Sequence, residues 1–360
     1  MVDRRNERQA AVIAVVESRT EGVLITSIPN IRWLTGFSGS AAMLLFVRGR
    51  AALITDFRYA TQATAEVGGA AEVVIERASV WDRLKRLLDD AAIATLAFES
   101  HVTTVANAER LGSLFRGQLV PVAELVEPLR QVKDDDELAA IRAAAALASD
   151  ALAEVLPTVR LGDREIDIAA RLEYALRHRG SLWHPFQTIV ASGPRSALPH
   201  ARSSEREVAA GELLLIDFGA QLAGYCSDIT RTVGLRTLDG KQRSVYQLVN
   251  EAQRRAREGL RAGMSGRDAD ALARDLIGAR GYGDAFGHSL GHGLGLEVHE
   301  APRLAATADA PLPAGTVVTV EPGIYLPGWG GVRLEDDVWV GPNGPVLLSD
   351  GQTDLLVLDC

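Results

Sequence analysis

Five residues in the second half of the chain have the chemistry of a metal centre. They are four carboxylates and one imidazole, each in a strand-like or glycine-rich stretch: Asp217, Asp228, His292, Glu321 and Glu335. Such an oxygen-rich set suits a pair of hard divalent cations, and two cations that share a water molecule make a hydrolytic catalyst. Whether the five form one site depends on the elements that carry them.

The first two acids lie on a predicted hairpin. Gly224 marks a turn between two strand-like stretches. If Ala220 and Tyr225 flank a four-residue loop, Asp217 lies directly opposite Asp228, and such cross-strand Cβ atoms are about 4.5–5.5 Å apart. Two carboxylates this close repel each other unless a cation lies between them. Taken alone, the stretch also fits a solvated hairpin with two acids.

A second predicted hairpin carries the other two acids. Glu321 ends a strand-like stretch, residues 327–331 form the turn, and Glu335 lies on the return strand. Asp336 and Asp337 follow directly and compete for the same role. Taken alone, this hairpin fits a structural role as well as a metal site.

Three of the seven histidines lie close together in a glycine-rich stretch, residues 286–303. His288 and His292 have the i, i+4 spacing that clamps zinc on a helix, but the surrounding glycines argue against a helix. We expect an extended segment in which the glycines let other backbone come close. The His-Glu-x-x-His zinc pattern is absent, because Ala and Pro follow His299-Glu300. Three histidines in such a run indicate a functional segment.

The chain is too long for one compact core, since it has 360 residues. Its first third alternates strand-like and helix-like stretches, which predicts an α/β domain. Pro128 and a plausible helix N-cap at residues 134–136 mark a boundary. We therefore expect one domain over residues 1–130 and another over residues 131–360.

Beyond residue 157 the same order of elements occurs twice. Each copy begins with a helix that ends in glycine, headed by Asp163 in the first copy and by Ser265 or Asp268 in the second. Two facing hairpins related by approximate twofold symmetry would pool their acids in one cleft. Corresponding positions are offset by similar lengths: 101 residues from Gly180 to Gly281, 104 from Asp217 to Glu321 and 107 from Asp228 to Glu335.

Composition narrows the classes of partner. The chain is 47% hydrophobic and 24% charged, as in ordinary globular proteins. A net charge of -9 argues against nucleic acid or an anionic membrane as the main partner. No apolar stretch reaches the roughly 18 residues of a membrane span, and the N-terminal stretch resembles an amphipathic helix more than a signal peptide. With only Cys226 and Cys360, far apart, we expect a cytoplasmic protein without disulfides.

In this order and with these flanks, the five residues resemble the metal-binding set of the pita-bread metallopeptidases. The likeness is greatest to the Xaa-Pro peptidases, prolidase and aminopeptidase P. The matching stretches, within residues 188–337, are TIVASGPRSALPH, DFGAQLAGYCSDITRT, GHSLGHGLGLEVHEAPR, VEPGIY and GVRLEDD. IPNIRWLTGFSGS and LITDFRY more loosely resemble the family's creatinase-type N-terminal domain. The resemblance implies an α+β fold, with a smaller α/β creatinase-type domain and a C-terminal pita-bread domain, and a homodimer.

The resemblance also implies roles for the metal ligands: Asp217 for one metal, Asp228 and Glu335 as bridges, and His292 and Glu321 for the second metal. Asp336 and Asp337 would then not be ligands. A hydroxide that bridges the metals would attack the scissile carbonyl, with Glu321 as the proton carrier. The oxygen-rich shell favours Mn²⁺, with Co²⁺ and Zn²⁺ as alternatives.

Further residues match the substrate side of the family's site. His200, His288 and His299 match histidines that line the substrate pocket and stabilise the tetrahedral intermediate. Tyr325 and Arg333 match residues that hold substrate or metal ligands.

Arg303 matches the arginine that binds the free carboxylate of a dipeptide in prolidases. The resemblance thus implies hydrolysis of Xaa-Pro bonds in dipeptides or short peptides with proline second, by a prolidase. The alternative is aminopeptidase P, which releases the first residue of Xaa-Pro-Yaa peptides. Creatinase uses no metal, and methionyl aminopeptidase lacks this type of N-terminal domain. A non-catalytic pita-bread binding module would be expected to have lost ligands.

Overall fold

The computed structural model describes residues 3–350 and 354–360. Its contacts divide it into two compact units, the first ending at Arg130 and the second beginning at Gln131. Among the described residues, no helix is long and apolar enough to cross a membrane.

The first unit is a mixed α/β layer structure. Its helices are α1 (Arg5–Val16), α2 (Ile28–Thr35), α3 (Ala60–Val67), α4 (Val80–Ala91), α5 (Val105–Leu114) and α6 (Glu127–Arg130). Its strands are β1 (Gly22–Ile25), β2 (Met43–Val47), β3 (Arg50–Asp56), β4 (Glu72–Glu76), β5 (Thr95–Glu99) and β6 (Gln118–Val122). They form one sheet in the order β4-β3-β2-β1-β5-β6. The alternation seen in the sequence therefore does produce an α/β unit.

The second unit contains four long helices and short strands. The helices are α7 (Asp135–Val155), α8 (Glu165–His178), α9 (Gly240–Gly259) and α10 (Gly266–Ala279). The strands are β7 (Ile189–Ser192), β8 (Leu213–Phe218), β9 (Gln221–Leu222), β10 (Tyr225–Cys226), β11 (Ile229–Leu235), β12 (Gly291–Gly293), β13 (Glu300–Leu304), β14 (Thr316–Val320), β15 (Gly323–Leu326), β16 (Gly330–Arg333), β17 (Asp336–Gly341), β18 (Gly344–Leu347) and β19 (Val357–Leu358). Short 3₁₀ turns connect several of them.

Local sequence explains where the helices of the second unit begin. The side chain of Asp134 accepts hydrogen bonds from backbone N–H groups of α7, and the carboxylate of Glu137 accepts one from the backbone N–H of Asp134, which is a capping box. Ser265 caps α10 by accepting from the backbone N–H of Asp268. The expectation that Asp163 heads α8 is wrong, because the cap position is Arg164 and its side chain makes no capping bond.

The order helix, helix, sheet occurs twice in the second unit. The first copy has α7 and α8 before a sheet in the order β19-β11-β8-β7, and the second has α9 and α10 before a sheet in the order β13-β12-β14-β17-β18. Buried apolar side chains join each helix pair to its sheet. This packing fixes the strands, in or beside which the five candidate ligands lie. The two ribbons β9-β10 and β15-β16 extend the hairpins of the two sheets.

Candidate metal centre

The first hairpin turns in two residues, where the sequence suggested four. Leu222 pairs with Tyr225, so only Ala223 and Gly224 form the loop. Both have positive φ, 49° and 87°, as a type I′ turn requires. Such turns favour Asn or Asp before the glycine, and the alanine in that place conceals the tight turn in the sequence.

The shorter turn changes which residues face each other. Asp217 pairs with Thr230, so the expectation that it lies directly opposite Asp228 is wrong. Asp228 is displaced by two positions, which leaves it on the same face as a diagonal neighbour. Diagonal pairs are about 7–8 Å apart, so the two carboxylates approach the centre from adjacent positions along the ladder.

The second hairpin has the direct opposition that the first lacks. The ladder of the hairpin is interrupted between two sets of pairs. Val320 pairs with Asp336 on one side of the interruption, and Gly323 pairs with Arg333 on the other. The same register across the interruption places Glu321 opposite Glu335. The loop at the tip of the hairpin is residues 327–329, two residues shorter than expected.

The histidine-rich segment is not helical, as its glycines predicted, and it is extended at strands β12 and β13, with bends at residues 295–299 between them. His292 is the central residue of β12. A Cβ atom on Gly291 would lie 2.0 Å from the carbonyl oxygen of Thr319, and one on Gly293 would lie 2.2 Å from that of Ala301. The glycines therefore allow the neighbouring strands to pack tightly against the strand that carries the histidine.

Three of the candidate ligands form a compact group. Asp228, His292 and Glu335 each offer a donor atom, and these atoms lie within 4.8 Å of one another. Oε1 of Glu321 lies 3.5 Å from Nε2 of His292. Asp217 is outside the three-donor group, but its charge acts on Asp228, Glu321 and Glu335.

The tautomer of His292 leaves a lone pair for a cation. Its Nδ1–H donates to the carbonyl oxygen of Gly293 at 3.0 Å, so Nε2 carries no proton in the neutral ring. Burial lowers the pKa of His292 to about 4, and the ring is therefore neutral at pH 7. Its Nε2 faces carboxylate oxygens of Glu321 and Asp228 at 3.5 and 3.7 Å, a repulsive arrangement that a cation would reverse.

The buried acids are short of positive charge. Burial raises the pKa of Asp228 and of Glu321 well above the usual range, and the charge of Glu335 raises both further. Burial and then Asp217 raise the pKa of Glu335 to about 8. Among the described residues, Oδ1 of Asp217 and Oδ1 of Asp228 are buried and accept no hydrogen bond. Divalent cations would supply both the charge and the ligand contacts, so these residues fit a metal centre.

Arg333 organises the edge of the centre. Its Nη2 donates to Oδ2 of Asp217 at 2.5 Å and its Nε to Oγ1 of Thr230 at 3.0 Å. Thr230 in turn donates to Oε2 of Glu335 at 2.6 Å. Sequence reasoning missed Thr230, although strand alternation two residues after Asp228 places it on the same face.

Tyr325 connects Arg333 to a histidine. Its hydroxyl accepts from Nη1 of Arg333 at 2.9 Å and donates to Nε2 of His288, also at 2.9 Å. Nδ1–H of His288 donates to the carbonyl oxygen of Ser289 at 2.8 Å. Both ring nitrogens of His288 are thus engaged within the protein, and Tyr325 is the side chain that links the ring to Arg333.

The other predicted substrate residues lie around His292. The ring centroid of His299 is 4.3 Å from that of His292. Arg303 is exposed and pairs with His292 across β12 and β13. His200 is also exposed, and its charge acts on Asp217 and His299. His299 and Arg303 therefore neighbour His292, and His200 lies within electrostatic range of Asp217 and His299.

The two acids after Glu335 have other partners. Both carboxylate oxygens of Asp336 accept hydrogen bonds from buried or half-buried side chains, among them Arg231 and Gln253. Oδ2 of Asp337 accepts from the backbone N–H of Asp228 at 3.2 Å. Of the three consecutive acids, Glu335 alone belongs to the compact donor group.

Comparisons with known proteins agree with this geometry. Residues 139–342 match the model of metallopeptidase family M24, and residues 8–132 match that of the creatinase/prolidase N-terminal domain. An uncharacterized peptidase of Bacillus subtilis (strain 168) is 43% identical over 94% of this chain and 96% of its own length.

Solved structures are similar over nearly the whole chain. An Xaa-Pro dipeptidase from Bacillus anthracis has a TM-score of 0.95 and 40% identity, covering 98% of this chain and 100% of that one. An X-Pro aminopeptidase from Thermotoga maritima MSB8 has a TM-score of 0.90 and 38% identity, covering 96% and 99%. The expected α+β fold, with a creatinase-type N-terminal domain and a pita-bread domain, is confirmed. The chain belongs to metallopeptidase family M24.

Proposed function

We propose that the chain is a metal-dependent Xaa-Pro peptidase that acts as a prolidase on Xaa-Pro dipeptides. The observation that carries the proposal is the compact donor group of Asp228, His292 and Glu335, with Glu321 beside it, in a buried site short of positive charge. The names of the similar structures, an Xaa-Pro dipeptidase and an X-Pro aminopeptidase, support the substrate class.

Each ligand has a role in the proposed centre. Asp217 would hold one divalent cation, His292 and Glu321 would hold the second, and Asp228 and Glu335 would serve both. Mn²⁺ is the proposed metal because the shell is rich in oxygen, with Co²⁺ and Zn²⁺ as alternatives. When bound, the cations would supply Lewis acidity to polarise the scissile carbonyl and to lower the pKa of the nucleophilic water molecule.

Residues of the chain orient the ligands and move the proton. Thr319 donates to Oε1 of Glu321 at 3.3 Å, which aims that carboxylate. Glu321 takes a proton from the attacking water and gives it to the proline nitrogen as the carbon–nitrogen bond breaks. His299 and His200 donate to the oxygen that gains negative charge. Arg333, Tyr325 and His288 hold Asp217 in place.

Arg303 is the basis for preferring dipeptides. Its exposed guanidinium lies across the β-ladder from His292, where the free carboxylate of a C-terminal proline could form a charge-assisted, bidentate contact. An Xaa-Pro-Yaa peptide has an amide at that position. The alternative function is therefore an aminopeptidase P, which the similarity to an X-Pro aminopeptidase also favours.

One assay separates these functions. We expect the Mn²⁺-loaded protein to hydrolyse an Xaa-Pro dipeptide with a higher kcat/KM than the matching Xaa-Pro amide or Xaa-Pro-Yaa tripeptide. Arg303→Met should remove the preference by raising KM for the dipeptide, with little change for the amide. A preference for the tripeptide would establish the aminopeptidase alternative. Failure to cleave all three would refute the proposed function.

The remaining features of the proposal concern the whole chain. Residues 131–360 form the catalytic domain, and residues 1–130 form the creatinase-type domain. The protein acts as a homodimer in the cytoplasm and binds neither nucleic acid nor membrane. Cys226 and Cys360, which are free, support a reducing compartment, and the net charge of -9 disfavours nucleic acid.

A further inference from the structure

Glu335 lies between two strands, and its backbone N–H and carbonyl groups form hydrogen bonds with a third strand. β16 ends at Arg333 and β17 begins at Asp336. The N–H of Glu335 donates to the carbonyl oxygen of Thr230 in β11 at 3.1 Å. The carbonyl oxygen of Glu335 accepts from Nη1 of Arg231, also in β11, at 2.6 Å. The backbone of this proposed ligand is therefore held on both sides by the other half of the repeat.

Arg231 is a buried cation in an otherwise apolar and threonine-rich strand. It is 5% exposed, and its Nη1 also donates to the carbonyl oxygen of Thr230 at 3.1 Å. Its Nη2 donates to Oδ1 of Asp336 at 2.9 Å. A guanidinium presents its donors in a rigid planar fork, so one side chain sets Glu335 and Asp336 relative to β11.

The carboxylate of Asp336 accepts a hydrogen bond from the guanidinium of Arg231 and is itself held by other side chains. Asp336 is 1% exposed. Its Oδ1 also accepts from Ser349 at 2.6 Å, and its Oδ2 accepts from Gln253 at 2.8 Å and Arg257 at 2.7 Å. Helix α9, strand β11 and the segment after β18 thus converge on one carboxylate, which together with Asp350 orients the guanidinium of Arg231.

We propose that Arg231 and Asp336 are positioning residues that set Glu335 in the metal centre across the junction of the two repeat halves. The inference rests on the proposed function, in which Glu335 bridges the metals. Thr230 aims the carboxylate of Glu335, and Arg231 fixes the backbone from which that carboxylate extends. Outer residues that orient ligands in this way typically change metal affinity by about 10–100-fold when they are replaced.

The alternative is a buried ion pair that only stabilises the fold. Arg257 provides a matched comparison, because it donates to the same Asp336 carboxylate from α9. Within the part of the chain that the structure describes, no hydrogen bond joins the Arg257 side chain to Glu335. Arg231→Lys keeps the charge but loses the planar fork, whereas Arg257→Lys loses a comparable contact on the far side of Asp336.

The test is calorimetric titration of Mn²⁺ into metal-free protein, with thermal unfolding measured alongside. We expect Arg231→Lys to bind Mn²⁺ about 10-fold or more weakly and to lose the electron paramagnetic resonance signal of an exchange-coupled manganese pair. Arg257→Lys should keep the wild-type affinity and signal, even if it unfolds at a lower temperature. Wild-type affinity in Arg231→Lys, or an equal loss in Arg257→Lys, would overturn the inference.

Two further variants complete the experiment. Glu335→Gln should lose most Mn²⁺ affinity; if it binds as the wild type does, the proposed metal centre itself is wrong, which is a different failure from that of Arg231→Lys alone. If circular dichroism shows that Arg231→Lys does not fold, Asp336→Asn replaces it. Asp336→Asn removes one of the two carboxylates, Asp336 and Asp350, that orient the guanidinium, so weaker Mn²⁺ binding would support the inference and wild-type binding would overturn it.

Discussion

Nε2 of His292 lies 3.5 Å from Oε1 of Glu321, although the two residues are on different strands. His292 lies within β12, and Glu321 directly follows β14. The close packing of these strands depends on Gly291, because a side chain there would meet the backbone of β14. The ring donates its Nδ1–H to its own strand and directs its unprotonated nitrogen at the carboxylate. Backbone geometry therefore brings these two proposed metal ligands together.

Glu321→Gln tests the proposed proton carrier. The amide keeps the size of the side chain but cannot accept a proton at this position, so kcat should fall by about 10²–10⁴-fold. Glu109→Gln, at an exposed position in the first unit, is the control and should keep wild-type turnover. Circular dichroism should show both variants folded. Wild-type turnover in Glu321→Gln would rule out its role.

Gly291→Ala tests the close approach of the strands. The new Cβ would lie 2.0 Å from the carbonyl oxygen of Thr319, so a strand must move, and overpacking of this kind costs about 1–3 kcal/mol. Gly287→Ala, in the same glycine-rich segment, meets nothing within 4 Å and should unfold like the wild type. Denaturant unfolding of the metal-free proteins measures the difference. Equal stability of the two variants would show that β12 and β14 are not this tightly packed.

Between pH 6.5 and 8, the metal-free protein should become less stable as the pH rises. Burial and Asp217 raise the pKa of Glu335 from 4.5 to about 8, so the folded state keeps a proton that the unfolded state releases. Since the native state binds more protons in this window, the free energy of unfolding falls with pH. His288 and His292, whose pKa values burial lowers from 6.5 to about 4, act oppositely, and their effect fades as the pH rises above 6.5. The raised pKa values of Asp228 and Glu321 add to the effect of Glu335.

Thermal unfolding in chelator across this window measures the effect. Tm should fall with rising pH in the wild type and fall less in Glu335→Gln, which cannot titrate there. Bound Mn²⁺ should reverse the trend, because cations bind the ionised carboxylates. A metal-free wild type whose Tm rises from pH 6.5 to pH 8 would contradict the assignment of buried, protonated acids.

The residue types of the centre were readable from the sequence, but their register was not. The four acids and the histidine could be picked out from the sequence. The helix caps at Asp134 and Ser265 follow from local sequence patterns. The two-residue turn was concealed because Ala223 adopts a positive φ that alanine rarely takes. Because the turn has two residues where four were expected, Asp217 pairs with Thr230 and not with Asp228.

The supporting residues were missed because their role depends on contacts between distant strands. Thr230 and Arg231 contact Glu335, although more than a hundred residues separate them from it in the sequence. The one available signal was a charged residue in the otherwise uncharged stretch 229–235, since a buried arginine requires partners. The family resemblance separated Asp336 from Glu335, and the four side-chain partners of Asp336 give the physical reason.

The central claim is that a metal centre built on these ligands hydrolyses the Xaa-Pro bond. The most direct measurement is hydrolysis of an Xaa-Pro dipeptide by chelator-treated protein, before and after titration with Mn²⁺. The account predicts no turnover in the metal-free protein and full recovery as two equivalents of Mn²⁺ bind. Full activity in protein shown by elemental assay to be free of metal would contradict it.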